Sequence, residues 1–340
     1  MKNRLKAWLD RGAVATGVIP LLEGQMRRGL TVLMYHRVLP DELCPGYPLR
    51  SLVIPVSAFR AQVELLSKGY LASTLGTAVN SLSAQSERRP VAVTFDDGYR
   101  DNFEHAAPVL EEFGLRATFF AATDFVGERQ LMWFDEACLL FEALGPARAQ
   151  GAFPHPFRGE PASPGDWMQI WKELTPAQRY EALDAWRDAR AQEGAAAPLA
   201  ESKYAAMLPD HLRELHDRGH EIASHTCSHA LLDQLSPADL ARELQDSKAR
   251  LEHWIGAEVP GFCYPNGNHN GAVRQAVLDA GYRWACTTKS GRFELGGDPF
   301  LIPRLDIAPG RVLNDQGQHD AARFRAELCR FHEHLQRTRR

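Results

Sequence analysis

No run in this chain of 340 residues approaches the ~20 consecutive apolar residues that a helical membrane span requires. Charge of one sign is also missing: 39 Lys and Arg stand against 43 Asp and Glu, a formal net charge of −4 with a pI near 6.4. Displacing counterions from phosphates takes a basic face, so no nucleic-acid partner is expected. Lysine is scarce, with seven in all, and the arginines are scattered apart from Arg337, Arg339 and Arg340, which read as a solvated tail. Cys44, Cys138, Cys227, Cys263, Cys286 and Cys329 form no CxxC pair and are too few to staple so long a chain. They are expected as free thiols in a reducing compartment. The composition that remains, 44% hydrophobic, is that of an ordinary globular protein with a sizeable core.

The first residues need separate treatment. Lys2, Arg4 and Lys6 precede a mildly apolar stretch from Ala13 to Leu22, which superficially resembles a secretory signal. Thr16, Gly17 and Pro20 interrupt it, Asp10 and Arg11 precede it, and no small-residue cleavage pattern follows, so export is not expected. Leu5, Trp8 and Leu9 beside the basic residues would suit peripheral membrane contact through a short surface helix. A helix packed on the main domain is favoured over that alternative. The expected location is cytoplasmic, with membrane association through this helix as its variant.

Strand-length apolar runs alternate with helix-period segments, the pattern of parallel strands joined by crossover helices. Strands are expected near 30–36, 91–96, 116–122, 220–225, 260–264, 282–287 and 300–305. Helices fall between them at 56–68, 101–113, 207–218, 237–255 and 270–280. Ser236-Pro237 opens one helix and Gly256 follows it, while Gly281 closes another. The stretch 135–206 breaks the alternation: it is mostly helical, holds a Pro/Gly-rich segment, and ends on an Ala-rich run at 195–197. It reads as an insertion on the rim, with Trp167 and Trp171 spaced for packing rather than for a sugar groove. The expected layout is an N-terminal helical segment 1–29, an α/β domain 30–310 and a helical tail 311–340.

In parallel α/β folds, sites are built at the carboxyl ends of strands. Val91-Ala92-Val93-Thr94-Phe95 runs into Asp96-Asp97-Gly98, two adjacent carboxylates that require a cation or a shared proton nearby. A plain helix N-cap is the simpler explanation of either Asp97 or Asp101. Glu221-Ile222-Ala223-Ser224 ends in His225-Thr226-Cys227-Ser228-His229, whose two imidazoles stand four residues apart, a spacing suited to a metal. With Asp97 they make a two-His, one-carboxylate set that leaves a coordination position open. Met34-Tyr35-His36 places a third His at a strand end, and Tyr264-Pro265-Asn266-Gly267 forms a turn further on.

Together, Thr94-Phe95-Asp96-Asp97-Gly98, the His225–His229 segment and the Pro-x-Gly loop resemble the polysaccharide deacetylase family, also called the NodB homology domain or carbohydrate esterase family four. The resemblance spans roughly 30–306, interrupted by the insertion. It implies a distorted (β/α) barrel with fewer than eight parallel strands, and removal of acetyl groups from N-acetylated sugars with one divalent metal, zinc first, with cobalt, nickel or manganese as alternatives. By the same resemblance, Asp96 is the general base, and Asp97, His225 and His229 hold the metal. The backbone N–H of Asn266 serves the oxyanion, and Tyr264 and Pro265 lie at the substrate. Two departures stand out. No acid His motif is recognisable near the C-terminus, so His36 takes that role, as in circularly permuted poly-N-acetylglucosamine deacetylases. Cys263 stands where the family has the Arg that orients the base, and Arg304 is the candidate substitute, with a surface ion pair as the equal alternative.

The expected partner is an N-acetylated glycan or sugar intermediate. Two further readings stay open: an O-deacetylase or a deformylase of a small or lipid-linked sugar, and a non-catalytic carbohydrate-binding protein with a relic site. A nucleotide-sugar transferase would leave the HxxxH pair without a role.

Overall fold

A computed structural model describes residues 2–82, 86–127, 131–192 and 202–337. The Ala-rich run at 195–197 and the arginines at 339 and 340 lie outside the described residues. Ten strands form: β1 (Thr31–Tyr35), β2 (Arg37–Leu39), β3 (Val53–Pro55), β4 (Tyr70–Ser73), β5 (Arg89–Phe95), β6 (Thr118–Ala121), β7 (Glu221–Ser224), β8 (Gly261–Cys263), β9 (Trp284–Cys286) and β10 (Leu305–Asp306). Seven of them run parallel in the order β10-β1-β5-β6-β7-β8-β9 and curl into a half-barrel surrounded by helices. β4 pairs with the first half of β5, and a parallel bridge from Cys286 to Ile302 ties β9 to the chain entering β10. This is the distorted barrel with fewer than eight strands in its curl that the sequence resemblance implies.

Side chains alternate across each strand, and the two faces meet different apolar clusters. Val91, Val93, Phe95, Phe119, Ile222, Phe262 and Ala285 join the large cluster under the helices. Val32, Ala92, Phe120, Ala223, Cys263, Trp284 and Ile302 fill the barrel interior. Trp284 closes that interior against Gly261, where a Cβ would sit 2.1 Å from its ring. The inward parity carries on past the strand ends, so 32-34-36, 92-94-96 and 223-225 aim His36, Asp96 and His225 into the mouth.

The helices at 56–69, 209–217, 237–255 and 271–279 lie close to where their patterns place them. Ser236 accepts from the N–H of Asp239 as N-cap, and Gly256 closes the helix at φ 70°. Three differences have physical causes. The expected helix at 101–113 opens with a π-helical turn, Asn102–Ala106, because Asp101 turns back to accept from the Val38 N–H and Arg37 instead of capping. The last strand shrinks to two residues beside the single bridge at Ile302, since Pro303 has no N–H to donate. β2, β3 and β4 escape sequence reading because they are only three or four residues long.

Between β6 and β7, helices Trp133–Leu144, Pro146–Ala152, Pro164–Glu173 and Pro176–Ala191 pack around their own apolar cluster. Trp167, Trp171 and Trp186 are buried at its centre, with ring centroids of Trp167 and Trp186 4.9 Å apart. Ser163 and Thr175 start two of these helices with capping boxes. The helical segments at the two ends of the chain pack on each other: Glu23 takes a two-pronged bond from Arg325 at 2.8 Å, and the buried Asp10 faces His332 at 2.7 Å. No helix among the described residues is long and apolar enough to cross a membrane. All six cysteines are free thiols.

Candidate active site

A cavity of about 380 Å³ opens at the carboxyl end of the barrel. His36, Asp96, Asp97, His225, His229 and Asn266 all line it. The backbone around it is unusual: Asp97 (φ 83°), Thr226 (φ 69°), His229 (φ 56°) and Asn266 (φ 55°) adopt left-handed conformations without being glycine. Such conformations cost about 1–3 kcal/mol each and persist where surrounding bonds over-determine them. Here those bonds are visible. Glu243, on the helix 237–255, accepts from the N–H groups of Cys227 (2.8 Å) and Ser228 (3.0 Å) and from the Ser228 hydroxyl (2.7 Å), pinning the loop that carries both imidazoles.

Asp97 Oδ1 lies 3.5 Å from Nε2 of His225 and 3.5 Å from Nε2 of His229. These distances are long for hydrogen bonds, but two donors each ~2.0–2.1 Å from a tetrahedral ion would stand about 3.4 Å apart. The three ligand atoms all fall within 4.8 Å of one another, and all three residues are buried. Asp97 Oδ2 is buried without a partner, as is Nδ1 of His229. His225 Nδ1 donates to the Cys263 carbonyl at 2.8 Å, which leaves the Nε2 lone pair facing the cluster. Burial, reinforced by His225, pushes the His229 pKa down to about 4, so its ring is neutral at pH 7. A neutral imidazole pair with a buried carboxylate is a donor set fit for a divalent cation.

Asp96 sits beside this cluster with a different partner. Arg304, fully buried, clamps both its oxygens at 2.6 and 2.7 Å. The guanidinium is held in turn by the Thr287 carbonyl (3.0 Å), Thr94 Oγ1 (3.1 Å) and Cys263 Sγ (3.0 Å). Burial opposes ionisation of Asp96, yet Arg304 outweighs it and holds the carboxyl well below the usual range. Of the two readings of Arg304 left open by sequence, the surface ion pair does not apply, because both partners are buried.

His36 is half-buried on the cavity wall, with its carbonyl fixed by the Asn102 side chain at 2.9 Å. Asn266 is exposed at the rim, and its N–H has no partner among the described residues. Tyr264 and Pro265 do not join this group. Both are buried, and Tyr264 packs in the core against Phe262, with centroids 5.3 Å apart. The inward parity of β8 runs through Cys263, which turns the Tyr264 ring to the helix side, so neither residue lines the cavity.

The opposite wall comes from the helices between β6 and β7. Phe134 sets its ring edge-on to His229 (5.5 Å, 67°), and Trp133 lines the cavity with Arg179 5.0 Å from its ring centroid. Gly165, Met168, Gln169 and Lys172 also line it. Sequence reading missed this wall and Glu243. The i, i+3, i+4, i+7 spacing of 165, 168, 169 and 172 was available, but a mixed polar stripe on a helix ordinarily faces solvent.

Residues 83–285 match the family model described as polysaccharide deacetylase. His36, on the residue after β1, lies outside that span. A Bacillus subtilis (strain 168) protein named for the same family, YxkH, is 23% identical over 286 residues, covering 83% of this chain and 72% of that one. Among solved structures, the Streptococcus pyogenes deacetylase PplD, in complex with acetate, superposes with a TM-score of 0.53 at 18% identity, covering 81% of this chain and 91% of that one. IcaB from Ammonifex degensii gives a TM-score of 0.53 at 19% identity, over 82% and 91% of the two chains. With the family model spanning more than half its length, the chain belongs to the polysaccharide deacetylase family of carbohydrate hydrolases.

Proposed function

We propose that the chain is a metal-dependent N-deacetylase acting on an N-acetylhexosamine-containing glycan or glycan precursor. The observation that carries the reading is the side-by-side placement of an oriented carboxylate, Asp96, and an unpartnered Asp-His-His donor set in one cavity. Asp97, His225 and His229 would hold one divalent ion, zinc first among the candidates. Such an ion, when bound, polarises the amide carbonyl and lowers the pKa of a water toward ~7.

The remaining work falls to the chain's own groups. Asp96, kept ionised and aimed by the Arg304 clamp, accepts the proton of the attacking water. The Asn266 N–H donates to the oxygen that gains charge as the carbonyl carbon becomes tetrahedral. His36 gives a proton to the amide nitrogen as the C–N bond breaks, so acetate and a free amino sugar leave. Trp133, an amphipathic ring in the cavity wall, suits the apolar face of a pyranose.

Acetate release from N-acetylglucosamine oligomers is the direct test. Activity should stop with a chelator, return with added Zn²⁺, and fall at least ~100-fold in Asp97→Ala and in His36→Gln. Metal content should be lost in the first variant and kept in the second. Formate release from an N-formyl sugar, or acetate release from O-acetyl sugars alone, would overturn the N-acetyl assignment. A metal-loaded protein inert on all of them would make it a binding protein.

A further inference from the structure

The helix Pro164–Glu173 has two faces with separate duties. Trp167 and Trp171 point into the apolar cluster shared with Trp186, whereas Gly165, Met168, Gln169 and Lys172 form the stripe that lines the catalytic cavity. Lys172 is half-buried, and among the described residues no hydrogen bond or ion pair reaches its ammonium. A lysine that gives up hydration without gaining a counter-charge is costly to keep. Burial accordingly lowers its pKa, with no acidic neighbour to restore it. The acids of the cavity are committed elsewhere: Asp96 is clamped by Arg304, Asp97 belongs to the donor set with His225 and His229, and Asp306 faces Arg311 at 3.9 Å. Lys172 is therefore a cation without a counter-charge, among the described residues, on the wall facing the reaction centre.

Resting on the deacetylase reading above, we propose that Lys172 is a specificity-determining residue that binds an anionic oxygen group carried by the substrate beside its acetamido sugar. The chemistry recognised is a carboxylate or phosphate on the neighbouring unit, with Gln169, one turn earlier on the same stripe, as a neutral hydrogen-bonding companion. A uronic acid in the glycan and a glycosyl phosphate are the two sources of such a group. Arginine would offer a fixed fork for it, while lysine supplies a mobile point charge that tolerates either.

Binding by the full-length chain, measured by calorimetry with chelator present so that no turnover occurs, tests this apart from catalysis. Three probes are compared: di-N-acetylchitobiose, N-acetylglucosamine 1-phosphate, and a disaccharide of N-acetylglucosamine and glucuronic acid. The wild type should bind at least one anionic probe about tenfold more tightly than the neutral one, and which probe gains identifies the source. Lys172→Met should erase that preference while leaving neutral-probe affinity within about twofold, and Lys172→Arg should retain it. The preference should also shrink between low and high salt. Equal binding of all three probes by the wild type, or a preference that survives in Lys172→Met, overturns the proposal. Failure of the deacetylase reading would look different: the anion preference would persist and depend on Lys172 while no probe released acetate when metal was restored.

Discussion

Replacing Arg304 by methionine separates its structural from its catalytic contribution. The guanidinium makes two bonds to Asp96 and one each to Thr287, Thr94 and Cys263, and neither it nor Asp96 is exposed. Deleting one partner of such a pair strands the other charge in a low-dielectric interior, which costs about 3–5 kcal/mol. Arg304→Met should therefore lower the unfolding free energy in urea by that amount. Adding Asp96→Asn should recover about 2 kcal/mol or more, because the stranded charge is gone and the coupling in the double-mutant cycle reports it. Activity should not recover, since Asn accepts no proton. Arg304→Lys keeps the charge without the fork and should lose about 100-fold in kcat through a misaimed carboxylate. If Arg304→Met unfolds within about 1 kcal/mol of wild type, or the two substitutions are simply additive, the clamp is not what holds Asp96, and the reasoning fails.

Two further outcomes follow from buried groups around the cavity. Glu243→Ala removes the acceptor for two backbone N–H groups of the histidine loop, so Zn²⁺ affinity should weaken about 10- to 100-fold, with Glu243→Gln intermediate; unchanged affinity in a competition titration with a chromophoric chelator would refute the pinning role. Asp135, the residue after Phe134, is buried, and that burial, opposed by Arg37 and by hydroxyl bonds from Tyr47 and Tyr99 (both 2.6 Å), raises its pKa to about 6. Because the folded value is the higher one, its contribution to stability is complete below the unfolded pKa near ~4 and declines as pH rises through 6. A rise from 3.8 to about 6 amounts to roughly 3 kcal/mol, so the stability difference between wild type and Asp135→Asn should fall by about that much between pH 4 and pH 7; a flat difference would sink it.

Much of the site could be read from sequence because its signals are local. An Asp doublet at a strand end and two imidazoles four residues apart need only parity and spacing to be placed in one mouth, and β1, β5 and β7 bring them there. Arg304 was visible as a candidate but not as a partner, since its bond to Asp96 spans 208 residues and depends on a two-residue strand. Tyr264 and Pro265 were misplaced for a related reason: motif adjacency says nothing about which face of β8 a side chain takes, and Cys263 holds the inward position. The wall from the helices between β6 and β7 was illegible because polar residues facing a cavity and polar residues facing water have the same pattern. Glu243 looked like one acid among many on a solvated helix until the loop it supports was in view.

Trp284, wedged against Gly261, makes the barrel a cup rather than a tube. On the deacetylation proposed above, both products would depart through the opening by which the substrate arrived, and an acetyl group directed at Asp96 and Asp97 would lie beneath the sugar that carries it. Acetate would then leave after the saccharide has lifted away, or slip past it along the rim. Turnover on a long chain would then be paced by how often the polymer lets go, and a short oligomer would outrun it at equal acetamido concentration.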